Sequence, residues 1–470
     1  MRVSAVKIPA FRLKLILITI FSISTIYLLN RQSLLLLCPS SLPPPDLFLR
    51  QSLSSTPTTI PTTLHHLFFS IASSSSSFPR RLPFLSLWYS PNSTRALLFL
   101  DKPPLFKPPL PYYISSDTSH FPYSFPRGHR SAIRVARIVK ESFELYEPDV
   151  RWYVFGDDDT VFVPENLVAV LSKYDHEKLF YIGSISESLE QNLKMSFGIA
   201  YGGGGFAISA TLARALSKVL DSCLMRYPHL YGSDHRISSC ITELGVHLTL
   251  ESGFHQVDVR GDLFGMLTAH PLSPLLSLHH LELVEPVFPS KNRTAAVQHL
   301  FKAVRVDPGR VLQQTVCYDY TSNLTVSVAW GYAVQVYEGN LLLPDILASQ
   351  RSFTPWRRRG INIPGQYVFD TRDYPQDPCK RPLVFFLEDV ASGTGRVWSK
   401  YKRHITHSCT RVAAIVNLKD IRVFAKKLQY NVGQVGALRR ECCDIIHPFN
   451  KSMVIDIRHC GSNELIAMNA

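Results

Sequence analysis

Hydrophobic and polar positions alternate between two patterns along the first two thirds of the chain. Apolar runs bounded by polar residues predict buried strands at 65–72, 96–100, 149–155 and 179–182. Segments with apolar residues three and four positions apart predict helices at 131–145, 164–174, 211–220 and 234–244. Strands that alternate with helices indicate a layered α/β fold.

The pattern changes after about residue 310, where β-type segments dominate. Strand candidates there are 326–336 and 383–386, and they predict a β-rich C-terminal extension over 291–470. Residues 102–111 contain five prolines and are expected to form a loop.

The N-terminal segment carries a membrane-targeting pattern. Basic residues precede an uncharged run at 15–30, and a leucine cluster follows it. Because positive charge stays on the cytoplasmic side, we expect a cytoplasmic tail at 1–14 and a transmembrane signal-anchor at 15–37, with the remainder lumenal. The run is short for a span, which needs ~20 residues, and a cleaved signal peptide is the alternative. Residues 38–62 are rich in Ser, Pro and Thr, which is typical of a flexible stem.

Composition supports a secreted or lumenal body. The 470 residues carry a formal net charge of +13, but the excess is scattered, without the aromatic-interleaved basic stripe or the zinc-finger spacing of a nucleic-acid binder. Four glycosylation sequons occur, at Asn92, Asn292, Asn323 and Asn450. Of the nine cysteines, Cys38 lies beside the membrane segment and the other eight lie in the expected lumenal part. In an oxidising lumen disulfides are expected, and their pairing is left open.

Three consecutive acids, Asp157, Asp158 and Asp159, follow the predicted strand at 149–155. Adjacent carboxylates repel one another, and oxygen ligands of this kind suit Mg²⁺ or Mn²⁺. The tip of a strand in an α/β sheet is also where ligands tend to bind. The alternative is a solvated acidic turn.

Two further segments are candidates for chemistry. The run from Gly202 to Gly205 lacks the residues of a phosphate loop or a dinucleotide site, but it permits close backbone approach to a ligand, and a flexible turn is the alternative. Asp234 opens a predicted helix, where it is either an N-cap or a general base, and His235 is a second candidate base. One of several later histidines is expected to complete a metal site with Asp159. These histidines are His255, His270, His279 and His280.

The ordered set of these segments resembles the Fringe-related branch of β-1,3-glycosyltransferases, and most closely its plant group of Fringe-like proteins. The segments that carry the resemblance are 152–162, 199–209, 231–234, 243–246, 253–255 and 276–281. The resemblance implies a GT-A fold over 63–290, in which a Rossmann-like nucleotide-binding half is fused to an acceptor half. It also implies an inverting, metal-dependent transfer from a UDP-sugar to a glycan or glycoconjugate, in the Golgi lumen.

Residue roles follow from the resemblance by position. Asp159 would bind the Mn²⁺ or Mg²⁺ ion, while Asp157 and Asp158 would contact the metal or the ribose. Asp101 would meet the uracil, and Asp234 would be the base. The glycine segment, namely Gly203, Gly204 and Gly205, would line the donor-sugar pocket. The metal histidine would be His279 or His255, depending on how the sequence is aligned.

One departure opens a second hypothesis. The plant group usually shows another acid after Asp234, where this chain has His235. The chain could then be a catalytically silent, glycan-binding or scaffolding relative. A secreted hydrolase is a third hypothesis, and no carboxylate pair in the sequence argues for it.

Overall fold

The computed structural model describes Ser24 and residues 61–145, 147–357, 364–430 and 441–468. The predicted cytoplasmic tail, the anchor apart from Ser24, and nearly all of the stem lie outside these residues. No helix in the described part of the chain is long and apolar enough to cross a membrane. Residues Pro61–Ala470 form one compact unit.

The described elements alternate in the first half of this unit and become mainly strands in the second. The helices are α1 Phe78–Trp88, α2 Ser131–Glu144, α3 Pro164–Leu171, α4 Leu189–Lys194, α5 Ala210–Arg226, α6 Ser233–Glu243, α7 Phe264–Thr268, α8 Arg293–Val306, α9 Leu343–Leu347 and α10 Ala413–Val416. The strands of the first half are β1 Leu67–Ala72, β2 Arg95–Leu100, β3 Tyr112–Ile114, β4 Trp152–Asp157, β5 Val161–Phe162, β6 Tyr181–Gly183, β7 Phe206–Ser209, β8 Leu248–Leu250, β9 Phe254–His255, β10 Val259–Gly261 and β11 Ser277–Leu278. Those of the second half are β12 Gln314–Asp319, β13 Leu324–Ala329, β14 Ala333–Glu338, β15 Ser349–Gln350, β16 Phe353–Pro355, β17 Thr371–Arg372, β18 Leu383–Ser392, β19 Arg396–His404, β20 Asp420–Lys426, β21 Glu441–Ile446 and β22 Ser452–His459.

A seven-stranded mixed sheet forms the centre of the first half. Its order is β3-β2-β1-β4-β7-β6-β8, and the four strands from β3 to β4 pair in parallel. Strand β7 runs antiparallel to both of its neighbours. The α/β prediction is therefore confirmed, and the strands predicted near 65–72, 96–100, 149–155 and 179–182 all exist with shifted ends.

Burial explains why the central strands are nearly all apolar. Every residue of β1 is buried, and β4 is buried up to Phe155 and Gly156, because helices or loops cover both faces of a parallel sheet. Helix α2 packs on this sheet through Ile133 and Ile138, and each such side chain contributes about 1.5–3 kcal/mol when fully buried.

A small three-stranded sheet connects the tip of β4 to later parts of the chain. Strand β11 lies between β5, to which it is antiparallel, and β9, to which it is parallel. Leu278 pairs with Val161. Since the two strands run in opposite directions, the residue after Leu278 approaches the residues that precede Val161.

The second half contains an eight-stranded sheet in the order β12-β13-β14-β18-β19-β20-β22-β21, which confirms the β-rich prediction. A disulfide between Cys317 in β12 and Cys443 in β21 joins its first and last strands, so the sheet curls round on itself. One detail of the prediction is wrong: 326–336 is not a single strand. It contains the turn of the β13–β14 hairpin, where Gly331 adopts a φ of +77°.

All eight cysteines in the described part of the chain form disulfides. In addition to Cys317–Cys443, the pairs are Cys223–Cys240, Cys379–Cys409 and Cys442–Cys460. The sequence had predicted disulfides without their connectivity. Among the helices that were not predicted are α1 and α8, which pack against each other. The prolines Pro79 and Pro83 disguise α1.

Candidate metal centre

The three consecutive aspartates occupy a tight turn at the carboxyl end of β4. The Asp157 amide donates to Thr160 Oγ1 at 2.8 Å, and the Thr160 amide donates to the Asp157 carbonyl at 3.1 Å. Thr160 Oγ1 in turn donates to the Gly203 carbonyl at 2.7 Å. This turn brings Asp157 and Asp159 to one histidine, and it brings Asp158 to the serines of the loop that follows β1.

His279 joins two of these aspartates. It follows β11 directly, and its Nε2 lies 3.1 Å from Asp159 Oδ1 and 3.8 Å from Asp157 Oδ2. One ligand atom from each of Asp157, Asp159 and His279 lies within 4.8 Å of the others. Two carboxylates and an imidazole form a donor set that suits Mn²⁺.

Positive charge stabilises the carboxylates of this cluster. Burial alone would lower the pKa of His279, but the carboxylate of Asp159 and then that of Asp157 raise it to about 9. Burial alone would raise the pKa of Asp159, and His279 and Arg81 outweigh it and hold that pKa below its usual range. Without a metal ion, a proton on His279 and the Arg81 guanidinium balance the acids. A divalent cation would balance the same acids, so the residues present fit a metal ion.

Asp158 points away from this cluster and holds a serine-rich loop. Its Oδ2 accepts hydrogen bonds from Ser73 Oγ and Ser77 Oγ, both at 2.6 Å. Arg81 lies 3.4 Å from Asp158 Oδ1 and also pairs closely with Asp159. Asp158 is therefore a buried organiser of the loop that follows β1.

The aspartate turn opens onto a cleft of about 420 Å³ at the carboxyl edge of the parallel strands. Asp101, at the tip of β2, lines this cleft and accepts a hydrogen bond from the Ser75 amide at 2.8 Å. Burial would raise the pKa of Asp101, but this hydrogen bonding and the charge of Arg134 lower it. Arg134 also lines the cleft and donates to the Ser73 carbonyl at 2.7 Å. The cleft thus places Arg81 and Arg134 beside four acids, namely Asp101 and the three consecutive aspartates.

The glycine run supports the histidine instead of standing free as a flexible turn. A Cβ at Gly203 would lie 2.2 Å from His279 Cε1, and one at Gly204 would lie 2.9 Å from the Gln256 amide nitrogen. Gly205 has a φ of +87° and packs on the Phe162 ring. These close contacts require glycine, and they press the run against the His279 side of the site.

Asp234 lies beside the metal cluster, close to Asp157. The two line one small cavity together with Gly202, whose added Cβ would lie 2.8 Å from Asp234 Oδ1. Asp234 is not the helix cap, because Gly232 occupies that position. His235 points elsewhere: among the described residues it lines neither this cavity nor the cleft. Burial lowers the pKa of its imidazole.

His255, the other candidate metal ligand, belongs to a different group of contacts. Its Nε2 lies 2.9 Å from His270 Nε2, and its Nδ1 lies 3.2 Å from Glu187 Oε1. His270 Nδ1 faces the Pro271 carbonyl at 2.8 Å. A carbonyl accepts only, so His270 donates there and accepts from His255. The structure therefore brings together Asp157, Asp159 and His279, and leaves His255 outside that cluster.

The C-terminal half reaches the site through Trp356. Its ring stacks on His280, with the centroids 4.6 Å apart and the planes 11° from parallel. The Arg260 guanidinium lies 4.2 Å from the centroid of the Trp356 ring. Strand β16, which ends beside Trp356, pairs with β10. The extension is thus part of the wall behind the histidines.

Sequence reasoning missed the residues that surround the aspartates from the N-terminal side. Ser73, Ser77, Arg81 and Glu282 are linked through Asp158 and Asp159, with Arg81 donating to Glu282 Oε1 at 2.7 Å. One signal was present: a polar run directly after an apolar strand marks the ligand-binding edge of a parallel sheet.

Two comparisons relate the chain to known proteins. A solved structure described as "crystal structure of a glycosyltransferase involved in the glycosylation of the major capsid of PBCV-1" is 13% identical; the match covers 49% of this chain and 99% of that chain, with a TM-score of 0.27. That likeness is too slight to assign this chain either the fold or the activity. The family model "Protein of unknown function, DUF604" matches residues 191–443. This match spans more than half of the 470 residues, and the chain therefore belongs to the DUF604 family.

Proposed function

We propose that this protein is a metal-dependent, inverting glycosyltransferase that moves a hexose or N-acetylhexosamine from a UDP-sugar to a hydroxyl of a glycan or glycoconjugate. The observation that carries the proposal is the convergence of Asp157, Asp159 and His279 at the carboxyl edge of a parallel sheet, on the floor of an open cleft. The resemblance to Fringe-related enzymes adds the β-1,3 linkage and a Golgi, type II membrane location.

Several residues of the cleft have a part in binding the donor. Asp157, Asp159 and His279 would hold Mn²⁺ or Mg²⁺, which supplies Lewis-acid neutralisation of the departing diphosphate. Arg81 and Arg134 place two guanidinium groups in the same cleft, where they attract the negatively charged diphosphate. Asp101, at the tip of β2, is available to accept hydrogen bonds from the base or ribose.

Asp234 is the residue best placed to accept the proton of the acceptor hydroxyl. It lines a small cavity together with Asp157, so an acceptor hydroxyl bound against Asp234 would lie beside the donor site. It occupies the first turn of helix α6. His235 lines neither cavity, so the histidine that replaces a second acid need not impair the base.

A turnover experiment separates this proposal from the silent-relative alternative. The purified full chain is incubated with Mn²⁺, a panel of UDP-sugars and a mixed glycan acceptor preparation, and UDP release above donor hydrolysis is measured. We expect acceptor-dependent release that falls at least about a hundredfold in Asp234→Asn, with UDP binding retained. UDP binding without acceptor-dependent release from any donor would favour a glycan-binding or scaffolding protein.

A further inference from the structure

A second cavity, with a volume of about 400 Å³, lies away from the aspartate turn, between the 285–291 segment and the C-terminal strands. Its volume falls in the range of roughly 300–1,000 Å³ that is usual for small-molecule sites. Leu283 lines the cleft described above, while Glu285 lines this cavity. The same short segment therefore separates two pockets, and the second has no part in the proposed transfer.

One side of the cavity is an aromatic wall. Phe386 in β18 is half-buried, and its ring centroid lies 5.8 Å from that of Phe264 and 6.1 Å from that of Phe288. Tyr374 also lines the cavity, with the Arg381 guanidinium 4.2 Å from its ring centroid. Flat apolar rings of this kind suit the C–H faces of a sugar ring, which need an apolar surface without hydrogen-bond demands.

The lining also carries charges of both signs, with cations in excess. Lys291 and three arginines line the cavity together with two carboxylates, those of Asp262 and Glu285. A polyol fits such a lining, because each hydroxyl both donates and accepts: it donates to carboxylates and accepts from guanidinium groups. A nucleoside polyphosphate fits less well, because its phosphates would meet the two carboxylates.

The arginine charges are only weakly neutralised within the protein. Arg403 donates to the carbonyls of Val416 and Leu418 at 2.9 and 3.1 Å, and Arg381 donates to the Pro375 carbonyl at 2.7 Å. Arg411 donates to the Arg381 carbonyl at 3.0 Å. Among the residues that the structure describes, only one carboxylate pairs with any of these three arginines: that of Glu338, which lies 3.7 Å from Arg411.

The proximity of Arg411 also lowers the pKa of Arg403, after the effect of burial, which shows two like charges held close together. The Arg411 side chain is only 9% exposed, and its buried Nε has no hydrogen-bond partner among the described residues. Like charges held together, with an unused donor, are stabilised by an anionic group between them. The Cys379–Cys409 disulfide ties two lining segments together, so this arrangement is built into the fold.

We propose that this cavity is a second carbohydrate-binding site, distinct from the donor cleft, and that it selects a sugar that carries a carboxylate, such as a hexuronic acid. The sugar ring lies against Phe386, and its carboxylate lies between Arg403 and Arg411. Its hydroxyls donate to Asp262 and Glu285. The site does not depend on whether the protein transfers sugar.

Direct binding tests the proposal without reference to activity. Calorimetry with the purified full chain compares a disaccharide that ends in glucuronic acid, the matching disaccharide that ends in glucose, and sodium sulfate. We expect the acidic disaccharide to bind at least about tenfold more tightly than either of the other two. No binding of the acidic disaccharide overturns the site. Equal affinity for the glucose form overturns the selectivity, and equal affinity for sulfate shows a simple anion site and overturns the carbohydrate assignment.

Variants locate the site. Arg403→Gln and Phe386→Ala are each expected to weaken the acidic disaccharide about tenfold, while Arg422→Gln, an exposed change on neighbouring β20 outside the cavity, leaves it unchanged. If Arg403→Gln does not fold, Lys291→Gln removes another positive charge of the lining at an exposed position. A several-fold loss of affinity for the acidic disaccharide is expected. Unchanged affinity in Phe386→Ala and Lys291→Gln would place the binding elsewhere and overturn the proposal. Saturating UDP and Mn²⁺ should not displace the disaccharide, and competition between them would also overturn the separate site.

Discussion

Gly203 lies so close to His279 that a methyl group on its α-carbon would sit 2.2 Å from the imidazole Cε1. Gly203→Ala should therefore push His279 away from Asp159 and weaken Mn²⁺ binding about 10- to 100-fold, the usual effect of disturbing a ligand's support. Calorimetric Mn²⁺ titration measures this. Gly198→Ala is the matched control, because its nearest neighbour, Ser196 Oγ, would be 3.4 Å away. Equal Mn²⁺ affinity in the two variants would contradict the His279 assignment.

We expect the loss of Asp158 to lower mainly the stability of the fold, and the loss of Asp159 to lower mainly the affinity for Mn²⁺. Because Asp158 accepts hydrogen bonds from Ser73 and Ser77, Asp158→Ala should lower the free energy of unfolding by about 2–4 kcal/mol. Its Mn²⁺ affinity should fall much less than that of Asp159→Ala. Urea unfolding and Mn²⁺ titration of both variants test this, with the exposed Asp175→Ala as the control for stability. Equal Mn²⁺ losses in Asp158→Ala and Asp159→Ala would refute the division of roles.

Arg81 pairs with Asp159 where the metal ion would bind. Removing its positive charge in Arg81→Gln should make Mn²⁺ alone bind several-fold more tightly, because one competing cation is gone. The same change should weaken UDP in the presence of Mn²⁺, because a guanidinium beside the diphosphate is lost. Arg80→Gln, the neighbouring arginine, is the control. If the affinities for Mn²⁺ and for UDP both rose or both fell in Arg81→Gln, Arg81 would not both compete with the metal ion and bind the diphosphate.

His270 should make stability depend on pH. Burial, and then the charge of His255, lowers its pKa to about 3, below the value of about 6.5 expected in the unfolded chain. The unfolded chain therefore binds a proton first as the pH falls. The stability of the fold with a neutral, buried His270 is therefore fully present above about pH 6.5. It is lost as the pH falls towards 3, at about 1.4 kcal/mol per pH unit for this one group.

Urea unfolding between pH 7 and pH 4 tests the His270 prediction. His270→Gln should unfold with a pH slope smaller by that amount, and the exposed His120→Gln should keep the slope of the wild type. The same slope in His270→Gln and the wild type would mean that His270 titrates normally in the folded protein.

The disulfide that joins the two edge strands of the eight-stranded sheet should matter more than a local one. Cys317 and Cys443 are 126 positions apart, and Cys223 and Cys240 are 17 apart. In the loop-closure account, replacing the first pair by serine should cost about 2 kcal/mol more stability than replacing the second. Chemical unfolding of the two double variants measures the difference, and a larger loss for the shorter loop would contradict it.

Much of the first half could be predicted because its patterns are local. Continuous apolar runs identify parallel strands, and β1, β2 and β4 were found in this way. The acids at the end of β4 were found as site candidates for the same reason. Helix α1 was missed because Pro79 and Pro83 disguise its pattern, although the fold tolerates them near its start and within it.

The choice between His255 and His279 could not be made from the sequence, because it depends on strand register. Leu278 pairs with Val161 in one direction and with His255 in the other. Only the first pairing carries His279 to Asp159, while His255 Nε2 meets His270. Arg81 was missed for a similar reason: 77 and 78 positions of sequence separate it from Asp158 and Asp159, which it contacts, and no local pattern reports such a contact.

The central claim is that Asp157, Asp159 and His279 hold a metal ion through which a nucleotide-sugar is bound. The most direct test is calorimetric titration of UDP into the purified protein with and without Mn²⁺, for the wild type, Asp159→Asn and the exposed control Asp175→Asn. We expect UDP binding that requires Mn²⁺, is retained in Asp175→Asn, and is lost in Asp159→Asn. UDP binding of equal affinity with and without Mn²⁺, or unchanged in Asp159→Asn, would contradict it.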